Sequence, residues 1–319
     1  MNNATLSQEN HQEYWRTAIE QVSSVVRGKT RQIEWMFAAF LSGGHILLED
    51  TPGMGKTTLA RMMAATLGLG SRRIQFTSDL MPADVVGLGL PVTHEGQTRL
   101  VFHPGPMFAN IVLADEINRA SPRTQSALLE SMAEGSATVD GIRHVLPNPF
   151  WVIATQNPVD LSGTFPLPDS QMDRFALRLS LGYPLPEEEV GLLLSGGAPQ
   201  DLRHVEPVLT PDGVHEARAQ VAAIRVSHAI ASYVQRLGQA SRSHPEISSG
   251  LSPRALLSLL STSRALAWMA GREYVVPEDV QSIFVVAAAH RLVAPGSDWA
   301  RRASLAQGLL SQVEWHDHK

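Results

Sequence analysis

The stretch HILLEDTPGMGKTTLAR, residues 45–61, places two glycines and a lysine between an apolar run and an amphipathic one. A strand that runs through such a loop into a helix commits the chain to an α/β fold. Backbone N–H groups at glycines approach phosphates closely, and the helix N-terminus adds partial positive charge. The pattern G-x-x-x-x-G-K-[ST] is met at Gly53-x-Gly55-Lys56-Thr57, except that Asp50 holds the position of its first glycine. Lys56 is expected to reach the β- and γ-phosphates and Thr57 to ligate Mg²⁺. Asp50 lies where the chain leaves the strand, so it restricts the backbone without touching a phosphate and is expected to be tolerated.

The flanking pattern supports this reading. Ile33, Met36, Phe37, Phe40 and Leu41 form one helical face, and Gly43-Gly44 ends it before the short strand Ile46-Leu47-Leu48. Leu59, Met62, Met63 and Leu67 give the helix after the loop. Further strands are expected at residues 73–76, 111–114, 150–154 and 175–181, the last near a sheet edge. A helix opened by Ser121-Pro122 lies between the third and fourth of the five. Strands alternating with helices predict a mostly parallel, helix-covered sheet. Two hairpins interrupt it: residues 91–102, turning at His94-Glu95-Gly96, and residues 138–145, turning at Asp140-Gly141. From Pro186 onward only helices are expected, over residues 187–194, 211–223, 227–241, 253–269 and 277–291. This sets a boundary near 183 between domains 1–183 and 184–319.

Composition narrows the function. At 319 residues the chain is long enough for two domains, each able to bury its own core. A net charge of -5 argues against coating nucleic acid through charge alone. With no cysteine, disulfides, thiolate zinc sites and thiol catalysis are excluded. The opening MNNATLSQENHQEYW lacks the apolar core of a signal peptide, and the longest apolar runs fall short of a membrane helix. The expected location is the cytoplasm.

Two more strand ends carry chemistry. Residues 111–114 deliver Asp115-Glu116 to the C-terminal edge of the sheet, where open parallel sheets bind ligands. Asp115 is expected to hold Mg²⁺ through water and Glu116 to polarise the attacking water. Residues 150–154 lead to Thr155-Gln156-Asn157-Pro158, which brings the Asn157 amide to the same edge.

In order, DTPGMGKT, LADEINRASPRTQSALLESM, ATQNP, LPDSQMDRF and GLSPRA resemble the MoxR family of AAA+ ATPases over essentially the whole chain. An acidic residue before the loop is ordinary in that family. The resemblance implies a P-loop AAA+ αβα sandwich on a five-stranded sheet, followed by a smaller all-α lid. ATP with Mg²⁺ would be held by Gly28, Pro52, Gly53, Met54, Gly55, Lys56, Thr57 and Thr58, with Thr57 and Asp115 at the metal. The resemblance gives Asn157 the sensor 1 role and Arg254 the sensor 2 role, which the lid would swing onto its own subunit's phosphates. It makes Arg174 a finger on a neighbouring subunit's ATP, with Arg123 and Arg178 as rivals. It implies a homo-oligomer, most simply a hexameric ring, with the hairpins facing the pore. It further implies a separate von Willebrand factor A domain protein as adaptor.

Other readings stand beside these. Arg174 is also placed to pair with Asp173 or Asp169, and Arg254 to face solvent from a first helical turn. The leading function is ATP-driven remodelling of a protein client, or help in inserting its metal cofactor. The alternatives are a nucleic-acid motor, disfavoured by hairpin tips poor in Lys and Arg, a chelatase motor subunit and a small-molecule kinase. Asp160-x-Ser162-x-Thr164 has a metal-motif spacing but follows a loop proline, and His316-x-His318 sits at the chain end, so neither is assigned a metal. The packing of residues 296–319 is left open by the resemblance.

Overall fold

The computed structural model describes residues 8–51, 53–94, 97–157, 163–194 and 205–315. Five strands, β1 (His45–Glu49), β2 (Ser71–Gln75), β5 (Ile111–Asp115), β8 (Trp151–Gln156) and β9 (Phe175–Leu179), pair in parallel in the order β2-β5-β8-β1-β9. Because side chains alternate along a strand, the apolar runs serve two cores at once. Ile46, Leu48, Ile111, Leu113, Trp151 and Ile153 face one cluster, while Leu47, Val112, Ala114, Val152 and Ala154 face the other. The expected parallel sheet is therefore observed, with all five strands where the sequence places them.

Helices α1 (Gln8–Val25), α2 (Thr30–Leu41) and α3 (Lys56–Thr66) cover the first face. On the second lie α4 (Pro82–Val86) and α5 (Pro122–Glu134), with Ser121 capping α5 through its hydroxyl and Pro122 in the first turn. The hairpins are β3 (Gly87–His94) with β4 (Gln97–Pro104), and β6 (Ser136–Val139) with β7 (Ile142–Val145). The first is longer than the sequence pattern shows, and the turn residues 95–96 lie outside the described residues. The second turns at Asp140 (φ 51°) and Gly141 (φ 78°), two successive left-handed residues as its dipeptide requires. Phe102 stacks on His144 at 3.7 Å and so joins the hairpins.

After α6 (Asp169–Met172) and β9 the chain is helical: α7 (Pro186–Leu194), α8 (Pro211–Ala223), α9 (His228–Ser243), α10 (Pro253–Met269), α11 (Pro277–Ala288) and α12 (Trp299–Gln312). The last stretch of the helix expected over residues 277–291 is instead a separate 3₁₀ turn, Ala289–Arg291. The lid does not fill a core of its own. Trp15 of α1 meets Phe37 edge-on at 5.5 Å and Trp268 of α10 at 5.9 Å, and one apolar cluster runs from α1–α3 through Tyr233, Trp268 and Phe284.

The C-terminal stretch that the resemblance leaves open is ordered as α12. Asp298 caps it by accepting the Arg301 N–H at 2.8 Å, and Leu305, Ala306 and Leu309 are buried. The edge strand β9 is buried along its whole length because α10 and α11 pack against it, and Trp299 of α12 lies 4.0 Å from the Arg178 guanidinium. Among the described residues no helix is long and apolar enough to cross a membrane.

Candidate active site

β1 runs into the loop at Asp50. Gly53 (φ 87°) and Gly55 (φ 78°) adopt left-handed conformations that L side chains rarely take, and open space lies where each Cβ would point. The glycines are thus required by backbone shape, and both are exposed. Gly55 caps α3, so Lys56 and Thr57 open that helix. Lys56 Nζ donates to the carbonyls of Asp50 (2.7 Å) and Thr51 (3.3 Å), folding the ammonium back over the loop. Burial lowers its pKa, opposed by the charges of Asp50, Asp115 and Glu116. Met54 is half-buried and Thr58 exposed on the same loop, while Pro52 lies outside the described residues. Gly28, also left-handed (φ 69°), sits between α1 and α2 against Leu185, and neighbouring Lys29 donates to the Tyr183 carbonyl at 2.7 Å.

Asp50 does more than the tolerance expected of it. Its buried carboxylate accepts Ser180 Oγ at 2.7 Å, Leu181 N–H at 2.8 Å and Gly182 N–H at 3.0 Å. It therefore ties the start of the phosphate loop to the exit of β9, where the chain turns toward the lid. A glycine at this position has no side chain to make those bonds.

The two carboxylates at the end of β5 have different surroundings. Asp115 is buried; its Oδ1 accepts Thr155 Oγ1 at 2.5 Å, and its Oδ2 accepts Arg73 Nη2 at 2.6 Å and Nε at 3.1 Å. Glu116 takes a left-handed backbone (φ 57°, ψ 48°), fixed by its N–H donating to Thr155 Oγ1 at 2.9 Å. Its Oε2 is held by Gln75 Nε2 at 3.0 Å and Arg119 Nε at 3.1 Å. A left-handed glutamate costs roughly 1–2 kcal/mol, so the strain sits at a residue that the surrounding bonds over-determine. The sequence pattern gives Thr155, Gln75 and Arg73 no role at the site. Only Thr155 carries a signal there, as the first polar residue after the apolar run of β8.

Asn157 leaves β8 beside this pair, and its carbonyl meets Asn118 Nδ2 at 3.5 Å. It lines a cleft of about 650 Å³ with Glu49, Asn118, Arg178, Trp299 and Arg302. Oxygen donors on Thr57 and Asp115, a half-buried ammonium and a cradle of left-handed glycines fit a magnesium–nucleoside triphosphate.

The arginines separate. Arg178 is buried, paired with Glu49 and capped by Trp299, and burial pushes its pKa down to about 10. Both of these contacts lie within its own chain. Arg123 is exposed in the first turn of α5. Arg174 is half-buried, donates to the Leu129 carbonyl at 2.8 Å, and pairs with neither Asp173 nor Asp169. Those aspartates bind Arg291 and Arg302 instead. Arg254 is exposed in the first turn of α10 and makes no hydrogen bond or ion pair among the described residues.

Residues 45–177 match the ATPase family associated with various cellular activities (AAA), and residues 239–307 match the AAA lid domain. Together with the strand order and the site geometry, these matches make the chain an AAA+ ATPase. YeaC of Bacillus subtilis is 42% identical over 277 residues, covering 86% of each chain. Chaperone MoxR1 of Mycobacterium tuberculosis is 38% identical over 287 residues, covering 86% of this chain and 74% of that one. A crystal structure of a Cytophaga hutchinsonii protein assigned as an ATPase superposes with a TM-score of 0.87, at 32% identity and 97% coverage of both chains. The chain belongs to the MoxR family.

Proposed function

We propose that the chain works in the cytoplasm as one subunit of a homo-oligomeric ring, most simply a hexamer, that spends ATP on remodelling a protein client. Lys56 and the amides of the loop would hold the β- and γ-phosphates, while Thr57 and Asp115 would hold Mg²⁺. The metal supplies charge neutralisation at the phosphates. Glu116 orients and polarises the attacking water, Asn157 senses the γ-phosphate, and Arg174 and Arg254 add positive charge, Arg174 on a neighbour's nucleotide.

One observation carries this reading: Thr155 holds Asp115 and Glu116 by the same hydroxyl yet gives them opposite surroundings. Asp115 is buried and oriented by Thr155 and Arg73, so that it would reach Mg²⁺ through water. Glu116 is turned out of the strand by its left-handed backbone and held only by side chains that can release it. This division suits a metal ligand beside a base.

A protein client is favoured over nucleic acid by the hairpins. Leu88, Leu90, Val92, Leu100, Val101, Ile142 and Val145 are all exposed there, an apolar surface ill-matched to a phosphate backbone. The Mycobacterium relative, named as a chaperone, points the same way. The MoxR resemblance adds a von Willebrand factor A domain partner and a client that receives a metal cofactor.

The test is a trap. Glu116→Gln protein, loaded with ATP and Mg²⁺, is drawn from extract of the native cell and its bound material identified. Retention of a von Willebrand factor A protein, lost with Lys56→Ala, is the expected result. Retention of nucleic acid with replication proteins would overturn the remodelling reading.

A further inference from the structure

Arg174 is flanked by two carboxylates, and both are held by the lid. Asp169, the first residue of α6, accepts Arg302 Nη1 of α12 at 3.0 Å. Asp173 Oδ1 lies 2.9 Å from Arg291 Nε, and its Oδ2 accepts Ser252 Oγ at 3.3 Å. Ser252 is also the N-cap of α10, so the turn that carries Arg254 is fixed to the same carboxylate. Arg291 is buried and makes further bonds to the Asp173 carbonyl (3.4 Å) and to Ser258 Oγ (3.3 Å). A buried guanidinium that loses its counter-charge is strongly destabilised, so Arg291 and Asp173 must move together.

The backbone around Arg174 needs such a grip. On its C-terminal side Phe175 is fixed in the sheet opposite His45. On its N-terminal side α6 has only four residues, too short to hold a helical turn unaided, and residues 164–168 carry no regular structure. The Arg174 guanidinium itself donates to the Leu129 carbonyl of α5 at 2.8 Å, and the backbone that carries it is positioned by what holds Asp169 and Asp173. Those grips come from α10, the turn after α11, and α12.

We infer that Asp169–Arg302 and Asp173–Arg291 form a two-point latch through which the lid positions Arg174. A change in lid position within one subunit then reaches the nucleotide of its neighbour. This rests on the proposed role of Arg174 in trans, and Asp169, Asp173, Arg291 and Arg302 act as positioning residues.

Mixed rings test it. Glu116→Gln subunits keep their own Arg174 but do not hydrolyse; Arg174→Ala subunits keep an intact site but donate no finger. Mixing the two should restore turnover in the Arg174→Ala sites. The same mixture made with a Glu116→Gln/Arg302→Ala donor should restore at least 10-fold less. Adding the exchanged pair to the donor (Asp169→Arg with Arg302→Asp) should recover most of it. ATP affinity and the melting temperature of each donor are read alongside, since a merely structural role would shift those and would not be rescued by the exchange. If the first mixture shows no restoration, Arg174 is not a finger in trans and the latch falls with it. If restoration occurs and the Arg302→Ala donor serves equally well, the finger stands and the latch is wrong.

Discussion

The hydroxyl of Thr155 lies 2.5 Å from Oδ1 of Asp115 and donates to it, while its oxygen accepts the N–H of the next residue along, Glu116. One side chain on β8 thus aligns Asp115, the last residue of β5, and Glu116 just beyond it. Thr155→Val keeps the shape and removes the hydroxyl, leaving a carboxylate oxygen and an amide without their partner. The expected cost is roughly 2 kcal/mol of stability and a turnover lower by about 10–100-fold. Thr155→Ser should restore most of both in steady-state assays and melts.

Asp50→Gly would convert the loop to the commoner pattern and should nonetheless weaken the protein. Three donors, Ser180 Oγ and the N–H groups of Leu181 and Gly182, lose a charged acceptor. The loss is expected to be about 3 kcal/mol, a fall in Tm on the order of 5–10 °C. An unchanged or raised Tm would show that the loop only tolerates Asp50.

Gly53→Ala separates conformation from contact. Nothing lies within 4 Å of the added methyl, so any effect arises from φ 87°. The strain is about 1–2 kcal/mol, and relief of it would distort the loop. A weaker ATP affinity with little change in overall stability is expected from nucleotide titration and thermal melts.

Buried histidine predicts the acid side of the stability curve. His45 Nδ1 accepts the Val152 N–H at 3.0 Å, which places its proton on Nε2, 3.2 Å from the Met132 carbonyl. Burial pushes its pKa to about 4, the Met132 bond opposing and Arg218 adding to the shift. Below about pH 6.5 the unfolded chain takes up a proton that the folded one refuses, so stability falls as pH drops toward 4 and is flat above 6.5. The contribution of His45 over that window is roughly 3 kcal/mol. Urea unfolding at pH 7, 6 and 5 should show this slope, and His45→Gln should make it shallower; an identical slope would mean the imidazole is not held neutral.

The strands, the loop and the lid helices were legible because each rests on local pattern: apolar runs, glycines before a lysine, Ser-Pro and Asp-Gly pairs. What was not legible depends on residues far apart in sequence. Asp50 looked incidental because its partners are more than a hundred residues away. The enclosure of Arg178 by Glu49 and Trp299 likewise has no local signal. Helix α12 did have a helical repeat of apolar residues, yet no motif drew attention to it. Thr155 was passed over for the neighbouring Asn157, although the bond that aligns the acidic pair belongs to the threonine.

The most direct test of the central claim is Glu116→Gln, followed by ATP binding and single-turnover hydrolysis on the same preparation. The change keeps the shape of the side chain and its hydrogen bonding while removing the charge that polarises water. Binding should remain within about 3-fold of the unaltered protein while hydrolysis falls by about 10²–10⁴-fold. Hydrolysis at a near-normal rate would contradict the account, since the carboxylate at the end of β5 would then not be the group that activates water.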